Sequence, residues 1–400
     1  MKNTLKKITP IYQINAAVKA RRTKARYRKV SGAYADRARH ADLSYTVSGC
    51  AELFGQRLAA RNIRFDFAGS DKPAVLWVGS DEDQDTGGFL QSLKAFGNVN
   101  CFTGSDGSYG HYFNGRGIYA EKIRTENGRR LLEIVRAIKK EQNLTLVIGQ
   151  MWGRTMPWRV LKEIQGMGII TVNVAMDDRH SFKGIRYNND WMGSLGLING
   201  LDLVLTAAPE ACLWYAVEGC PALFWPEAGD PAIFHPMDVS KKHNVCFVGA
   251  CYGIRKQIVQ ALQKRGISVT CYGSGWPAGK IATQDIPELF AASKIILGVG
   301  TIGHCTDFYS LKQRDFEATL SGSMYLTHAN ADLNELFAMD TDIVCYATAE
   351  ECADKCEHFL RHDAARESIA RSGLQRSLRE HTWQKRFELL FSFLGSEEND

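Results

Sequence analysis

Long hydrophobic runs are missing from this chain of 400 residues. Its longest uncharged apolar stretch, Ile295 to Gly303, falls far short of the roughly 20 residues that a membrane helix needs. The basic N-terminus carries no apolar core of the signal-peptide kind, so export is not expected. Paired cysteine spacings are missing as well. The 11 Cys include no C-x-x-C, which points to a reducing, cytoplasmic setting. Cys352 and Cys356 are one helical turn apart, and Cys246 and Cys251 bracket a strand end. Either pair could take a metal with a distant His, but buried free thiols are the better reading. Neither G-x-S-x-G nor H-E-x-x-H occurs. His304-Cys305 beside Asp307 is not read as a thiol dyad, because adjacent residues of a strand or loop usually point apart. Gly273-Ser-Gly275-Trp-Pro-Ala-Gly279-Lys280 fails as a P-loop, having Ser274 where Gly is needed and Ile281 where Ser or Thr is needed. It fails as a dinucleotide fingerprint because Pro277 sits where a helix should open, which opposes an NAD-dependent enzyme. Acidic residues are scarce at one end: residues 1–40 hold twelve Lys/Arg and one acid, Asp36. The other 360 hold 37 Lys/Arg against 43 Asp/Glu. Positive charge therefore belongs to an N-terminal annex and not to the body.

What is present is the composition of a globular protein, 45% apolar and 10% aromatic, long enough for two domains. Residues 2–40 read as a cationic helix with a thin apolar stripe of Ile11, Ile14 and Val18. A second helix is expected from Gly49 to Ala60, with Ser48 as its N-cap. From Pro73 the pattern is strand, loop, helix, repeated. Ala74–Val78, Leu144–Ile148, Ile169–Val174, Leu201–Thr206 and Ala222–Trp225 are near-continuous apolar runs, the mark of a parallel sheet covered on both faces. Pro226, Gly229, Pro231 and Pro236 make the best domain boundary. A second series follows, with strands at Asn244–Val248, Ser268–Tyr272, Ile295–Val299, Met324–Thr327 and Asp342–Cys345. The expected fold is α/β: a basic helical extension over 1–70, then two Rossmann-like doubly wound lobes over 71–235 and 236–382. Ligands of such sheets sit beyond the carboxyl ends of the strands, here in a cleft between the lobes.

Four places carry candidate chemistry. Leu311-Lys-Gln-Arg-Asp-Phe-Glu317 opens a helix after the strand ending at Val299. A helix N-terminus with Lys312 and Arg314 favours phosphate, and Glu317 one turn in can accept hydrogen bonds from ribose hydroxyls. Phe247-Val-Gly249-Ala-Cys-Tyr-Gly253-Ile-Arg255 pairs glycines that admit a ligand with an Arg suited to a diphosphate. Gly273 faces the same edge. Asp85-Thr-Gly87-Gly88 is the counterpart in the first lobe, where a sugar or an acceptor would enter. Asn173-Val-Ala-Met-Asp177-Asp178-Arg-His180 closes a strand with two acids and a His; Asp178 or Asp177 would take a proton from an acceptor hydroxyl, with His180 as the rival base. An N-cap and an ion pair explain the same residues equally well.

The order FVGACYGIR, VTCYGSGW, ASKIILGVG, LKQRDFEATLSGSMYLT, ADLNELF, DIVCYATAEECADKCEHFL, IARSGLQR and HTWQKRFELL, over residues 244–390, resembles the glycosyltransferase-like domain of the CgeB-type spore-maturation family. The resemblance implies the GT-B fold and a nucleotide-diphosphate sugar as donor. It places Glu317 at the donor ribose, Lys312 and Arg314 by the diphosphate, Gly249 and Arg255 on the phosphate-side loop, and Gly273 at the border of the base. It implies that residues 383–400, after His381 and with Trp383 and Arg386, cross back to the first lobe. It implies a hexosyltransferase-like enzyme of cell-surface glycan biosynthesis with a glycan, lipid-linked or protein acceptor; because no acidic metal-ligand motif appears, no essential metal or other cofactor is expected. No nucleic-acid partner is expected. One departure stands out: Tyr309 occupies the position where retaining relatives often carry a second Glu. Inverting and retaining outcomes therefore both stay open, as does a non-catalytic nucleotide- or glycan-binding coat protein on the same fold. Residues 1–40 have three readings: contact with an anionic membrane at its inner face, an acidic partner, or plain solvation.

Overall fold

The computed structural model describes residues 10–63, 72–111 and 118–395. Residues 2–9 of the expected cationic helix lie outside the described residues. The chain forms two compact units, each built on its own parallel sheet. One comprises residues 29–226 with 383–395, the other residues 10–28 with 227–382.

The first unit carries six parallel strands in the order β2-β1-β3-β4-β7-β8. They are β1 (Ala74–Val78), β2 (Asn98–Cys101), β3 (Leu144–Gly149), β4 (Ile170–Ala175), β7 (Leu203–Thr206) and β8 (Ala222–Phe224); β5 (Arg186–Tyr187) and β6 (Asp190–Trp191) form a separate hairpin. Every residue of β1, β4 and β7 is buried, which is why these strands read as unbroken apolar runs. β2 differs. It is an edge strand, and its Asn-Val-Asn-Cys sequence stays half-exposed, so it lacked the apolar signal of its neighbours. The helix Trp383–Gly395 buries Trp383, Phe387 and Phe391 in this unit. Trp383 meets Phe89 and Trp225 with ring centroids 5.1 and 5.5 Å away. The Trp225 indole donates to the Arg386 carbonyl (3.0 Å), and Arg386 Nε donates to the Pro226 carbonyl (3.0 Å). Arg386 is thereby spent on packing and backbone satisfaction.

The helix Pro10–His40 supplies this unit with Tyr34, fully buried, whose hydroxyl donates to Glu218 Oε1 (2.5 Å) while its ring meets Phe182 edge-on at 5.4 Å. Arg37 completes the cluster by pairing with Glu218. The next helix, Val47–Ala59, is capped by Thr46 and not by Ser48. Thr46 has the extended backbone of a cap, and its Oγ1 accepts from the Gly49 N–H (3.0 Å), whereas Ser48 already lies in the first turn.

In the second unit five parallel strands run in the order β10-β9-β11-β12-β13. They are β9 (His243–Val248), β10 (Val269–Tyr272), β11 (Ser293–Leu297), β12 (Met324–His328) and β13 (Val344–Tyr346). Val245, Phe247, Ile295, Leu297, Met324, Leu326 and Val344 form its core with Ile258, Val259 and Leu262 of the helix Arg255–Lys264 and Cys352, Ala353 and Cys356 of the helix Ala349–Arg361. Cys352 and Cys356 are thus core side chains. Cys246 is fully buried too, and burial pushes its thiol up to about 12.

Candidate functional site

The carboxyl ends of β9, β10 and β11 carry the loops that build the site. β9 ends at Val248, and Gly249 follows with φ 151°. A Cβ built there would lie 3.2 Å from Arg314 Nη2 and 3.3 Å from Arg255 Nη1, so two guanidinium groups converge on one backbone position. Both also stand over the Phe247 ring, 5.6 Å (Arg255) and 5.4 Å (Arg314) from its centroid. Arg255 is buried; it donates to the Ala250 carbonyl (2.9 Å) and lies 4.1 Å from the Tyr252 ring centroid. Burial, with the charge of Arg314 adding to it, holds the Arg255 guanidinium below its usual pKa. Among the described residues neither arginine has an ion pair, and Arg255 Nε has no hydrogen-bond partner. Two like charges held together with no ion pair to either can receive an anion.

Gly273, after β10, has φ 132°, and a Cβ on it would come within 2.4 Å of the Gly249 carbonyl oxygen. Only glycine allows that approach. The two loops are laced by Gly249 N–H to Tyr272 O (2.8 Å), Cys251 N–H to Ser274 O (2.8 Å) and the Trp276 indole to Gly249 O (2.8 Å). Beside them lies a cavity of about 760 Å³ bounded by Cys251, Tyr252, Gly275, Trp276 and Pro277.

The helix Gln313–Leu320 begins at the same sheet edge. Lys312 takes the cap position with an extended backbone, and Asp315 turns back to accept its N–H (2.8 Å). Tyr325 donates to the other Asp315 oxygen (2.5 Å), and burial raises this carboxyl to about 6. Lys312 Nζ reaches Ser310 (2.6 Å). Glu317, partly buried, accepts from Gln313 Nε2 (2.7 Å). Burial pushes its pKa up to about 7 against the opposing charge of Arg314. The structure therefore brings Gly249, Arg255, Arg314 and Gly273 to one point and sets Lys312 and Glu317 on the adjoining helix start. Such a set can hold a diphosphate with fixed cations and a sugar diol with a carboxylate.

Between β11 and this helix runs a hairpin closed by a Thr301–Tyr309 bridge. Tyr309 donates to the Thr306 carbonyl (3.0 Å) and its ring lies 5.4 Å from that of His328. The hairpin's tip is met by the N-terminal helix: Lys24 pairs with Asp307 (2.7 Å), Tyr27 meets Phe308 at 4.7 Å, and Cys305 Sγ donates to the Ala20 carbonyl (3.7 Å).

In the first unit, Gly87 and Gly88 lie in a π-helical turn, Asp85–Phe89, and are buried. Gly88 has φ 116°, so the pair puts a kink between two helical segments. Beneath them Asp85 accepts from the Trp77 indole (2.8 Å) and the Tyr109 hydroxyl (2.7 Å), and burial lifts its pKa to about 6. Asp178 follows β4 and is 1% exposed. It accepts from Thr206 Oγ1 (2.7 Å) and from the Tyr215 hydroxyl (3.0 Å), and burial raises it to about 7. His180 is exposed two residues on, its Nε2 3.7 Å from Asp177 Oδ1. Among the described residues no group of three His, Cys, Asp or Glu is arranged to hold a metal.

Residues 255–392 match a family model described as glycosyl transferase-like. The chain has the GT-B fold. HepE of Anabaena, solved with UDP and glucose, superposes with a TM-score of 0.57 at 10% identity, over 82% of this chain and 100% of that one. A glycosyltransferase of Rickettsia africae gives 0.57 at 12% identity, over 83% and 100%. Sucrose-phosphate synthase of Thermosynechococcus elongatus gives 0.55 at 13% identity, over 80% and 99%. Among curated protein sequences there is no match.

Sequence reasoning missed Asp85 as a buried carboxylate, although Trp77 and Tyr109 carry the donors it needs. It also missed the docking of Lys24 and Tyr27 on the hairpin, a contact between positions nearly three hundred residues apart for which no local pattern exists.

Proposed function

We propose that this chain is a glycosyltransferase that takes a nucleotide-diphosphate sugar as donor through the second unit and passes the sugar to a hydroxyl of a glycan, lipid-linked or protein acceptor. The observation that carries the reading is the convergence of Arg255 and Arg314 on Gly249 beside the helix start that bears Glu317. Displacement of the nucleotide leaves a diphosphate, and fixed cations stabilise that charge as it develops without reorganising. Arg255, Arg314 and Lys312 take this role, which leaves no need for an essential metal. Glu317 binds the ribose, and the cavity beside Gly273 and Trp276 takes the base. HepE, solved with UDP, supports a uridine nucleotide as the first donor to try. On the acceptor side, Gly87 and Gly88 let the ligand approach. Exposed His180, 3.7 Å from Asp177, is the base, while Asp178, accepting from Thr206 and Tyr215, anchors the turn that carries them. The motif order over 244–390, the stretch that the family model largely matches, supports the CgeB-type group within this fold class. Cysteine usage supports a cytoplasmic enzyme.

Calorimetry tests the reading. A nucleoside diphosphate binds in EDTA, and Glu317→Ala weakens it about 10- to 100-fold, the loss of hydrogen bonds to a charged group worth about 1.5–3 kcal/mol. No binding of uridine, guanosine or adenosine diphosphate, with or without magnesium, overturns it; binding only with magnesium overturns metal independence alone. A non-catalytic role is favoured by one observation, that Tyr309 is held on its hairpin where a carboxylate would stand in retaining relatives. Release of free sugar from a bound donor excludes that role.

A further inference from the structure

The helix Pro10–His40 is used on one side only. Ala16, Ala20, Thr23, Lys24 and Tyr27 recur at helical spacing and are partly buried, with Ala20, Lys24 and Tyr27 gripping the hairpin tip within their own unit. The opposite side carries Arg21, Arg22 and Arg26, all exposed, while Lys19 and Arg28, also exposed, flank the docked stripe near His304 and Asp307 of the hairpin. Among the described residues none of the five has an ion pair, and no acid occurs between positions 14 and 28. On the same outward side, one and two turns before these cations, stand Ile14 and Val18, 61% and 39% exposed. The docked stripe thus fixes the helix and leaves three unpaired arginines and two aliphatic side chains pointing out, with Lys19 and Arg28 at the margins.

We propose that this face is a docking surface for an anionic phospholipid bilayer. Charge complementarity selects an anionic partner, and the two bare aliphatics at the start of the face select one with an apolar interior beneath its phosphates. A soluble polyanion would leave Ile14 and Val18 in water. The contact is peripheral: no helix among the described residues is long and apolar enough to cross a membrane. Each cation near an anionic surface is worth about 1 kcal/mol, roughly five-fold in partitioning, and the attraction is screened by salt. The inference does not depend on the proposed function, since none of these residues belongs to the Arg255–Arg314 site.

The test is co-sedimentation of the full chain with vesicles of phosphatidylglycerol and phosphatidylcholine, against vesicles of phosphatidylcholine alone. Binding to the anionic vesicles at low salt is expected, lost at 0.5 M salt. The exposed triple variant Arg21→Gln/Arg22→Gln/Arg26→Gln should lower partitioning by about 100-fold while melting like the parent chain and binding nucleoside diphosphate as before. Ile14→Ser/Val18→Ser should lower it further without changing the salt dependence. Equal, negligible sedimentation with both vesicle types overturns the proposal. So does undiminished binding by the triple variant, or capture by soluble polyphosphate with no binding to vesicles.

Discussion

Arg314→Met offers the sharpest trial of the anion site, because it should stabilise the empty protein while disabling it. Arg314 and Arg255 each come within about 3.3 Å of one point beside Gly249. Two unit charges about 6 Å apart repel by about 3 kcal/mol at an effective dielectric near 20. Arg314 is partly exposed, so solvent screening and the lost contact with the Phe247 ring reduce the net relief to the order of 1 kcal/mol. The sign depends on pH. Asp315 and Glu317 have pKa values raised to about 6 and about 7, so at pH 5.5 both are mostly protonated and Arg314 feels chiefly repulsion. At pH 8 both are ionised, and removing Arg314 removes their counter-charge. Differential scanning calorimetry should therefore show the variant melting about 2–4 °C above the parent at pH 5.5, with that gain absent or reversed at pH 8. Nucleoside diphosphate affinity should fall by about 10-fold or more at both pH values, the worth of a charge-assisted hydrogen bond. A variant that melts lower at pH 5.5 and binds the nucleotide as well as the parent would refute both the repulsion and the site.

Gly249→Ala sets a methyl group at φ 151° between the two guanidinium groups and the Phe247 ring; it should cost about 1–3 kcal/mol of stability and abolish nucleotide binding measured by calorimetry. Asp178 is raised by burial from an ordinary carboxyl value to about 7, so between roughly pH 4 and pH 7 the native state holds a proton that the unfolded chain releases. Stability should fall as pH rises through that window and level off above it. Asp178→Asn, which keeps an acceptor for Thr206 and Tyr215, should flatten the fall in melting temperature between pH 5 and pH 7.

The strands that build the sheets were legible because burial on both faces leaves an unbroken apolar run, as in Ala74–Val78 and Met324–His328. Edge strand Asn98–Cys101 was not, since an edge needs no such run. The candidate donor residues could be named singly, since each follows a strand and precedes or opens a helix. Their convergence could not, because Arg255 and Arg314 come from different strand-to-helix turns and meet only once β9 and β11 are paired. Asp178 is a second case. A strand-end acid can be named from the sequence, but its enclosure by Thr206 and Tyr215, from later elements, has no local signal. Lys24 is the extreme case, a charge that looks solvated until its partner Asp307 folds against it.

The two sheets end in loops of different electrical character, and that difference argues for dividing donor from acceptor between them. Beyond β9 and β11 stand Arg255, Arg314 and Lys312, and burial raises the nearby carboxyls, Asp315 to about 6 and Glu317 to about 7, which weakens their negative charge as pH falls through that range. Beyond β1, β3 and β4 the groups include Asp85 with its Tyr109 and Trp77 donors, Gln150, Arg154 over the Trp152 ring, Arg179 paired with Glu210, and the Asp177–His180 pair. A diphosphate placed at that second edge would meet carboxylates, and its Arg179 is already paired with Glu210. Under the proposed function, a neutral hydroxylated acceptor would find His180 and hydrogen-bonding groups there, and the diphosphate would find its cations beyond β9 and β11. Exchange of the two roles would set the diphosphate among carboxylates and leave the cations beyond β9 and β11 without an anion, so the charge pattern supports one assignment and opposes its converse.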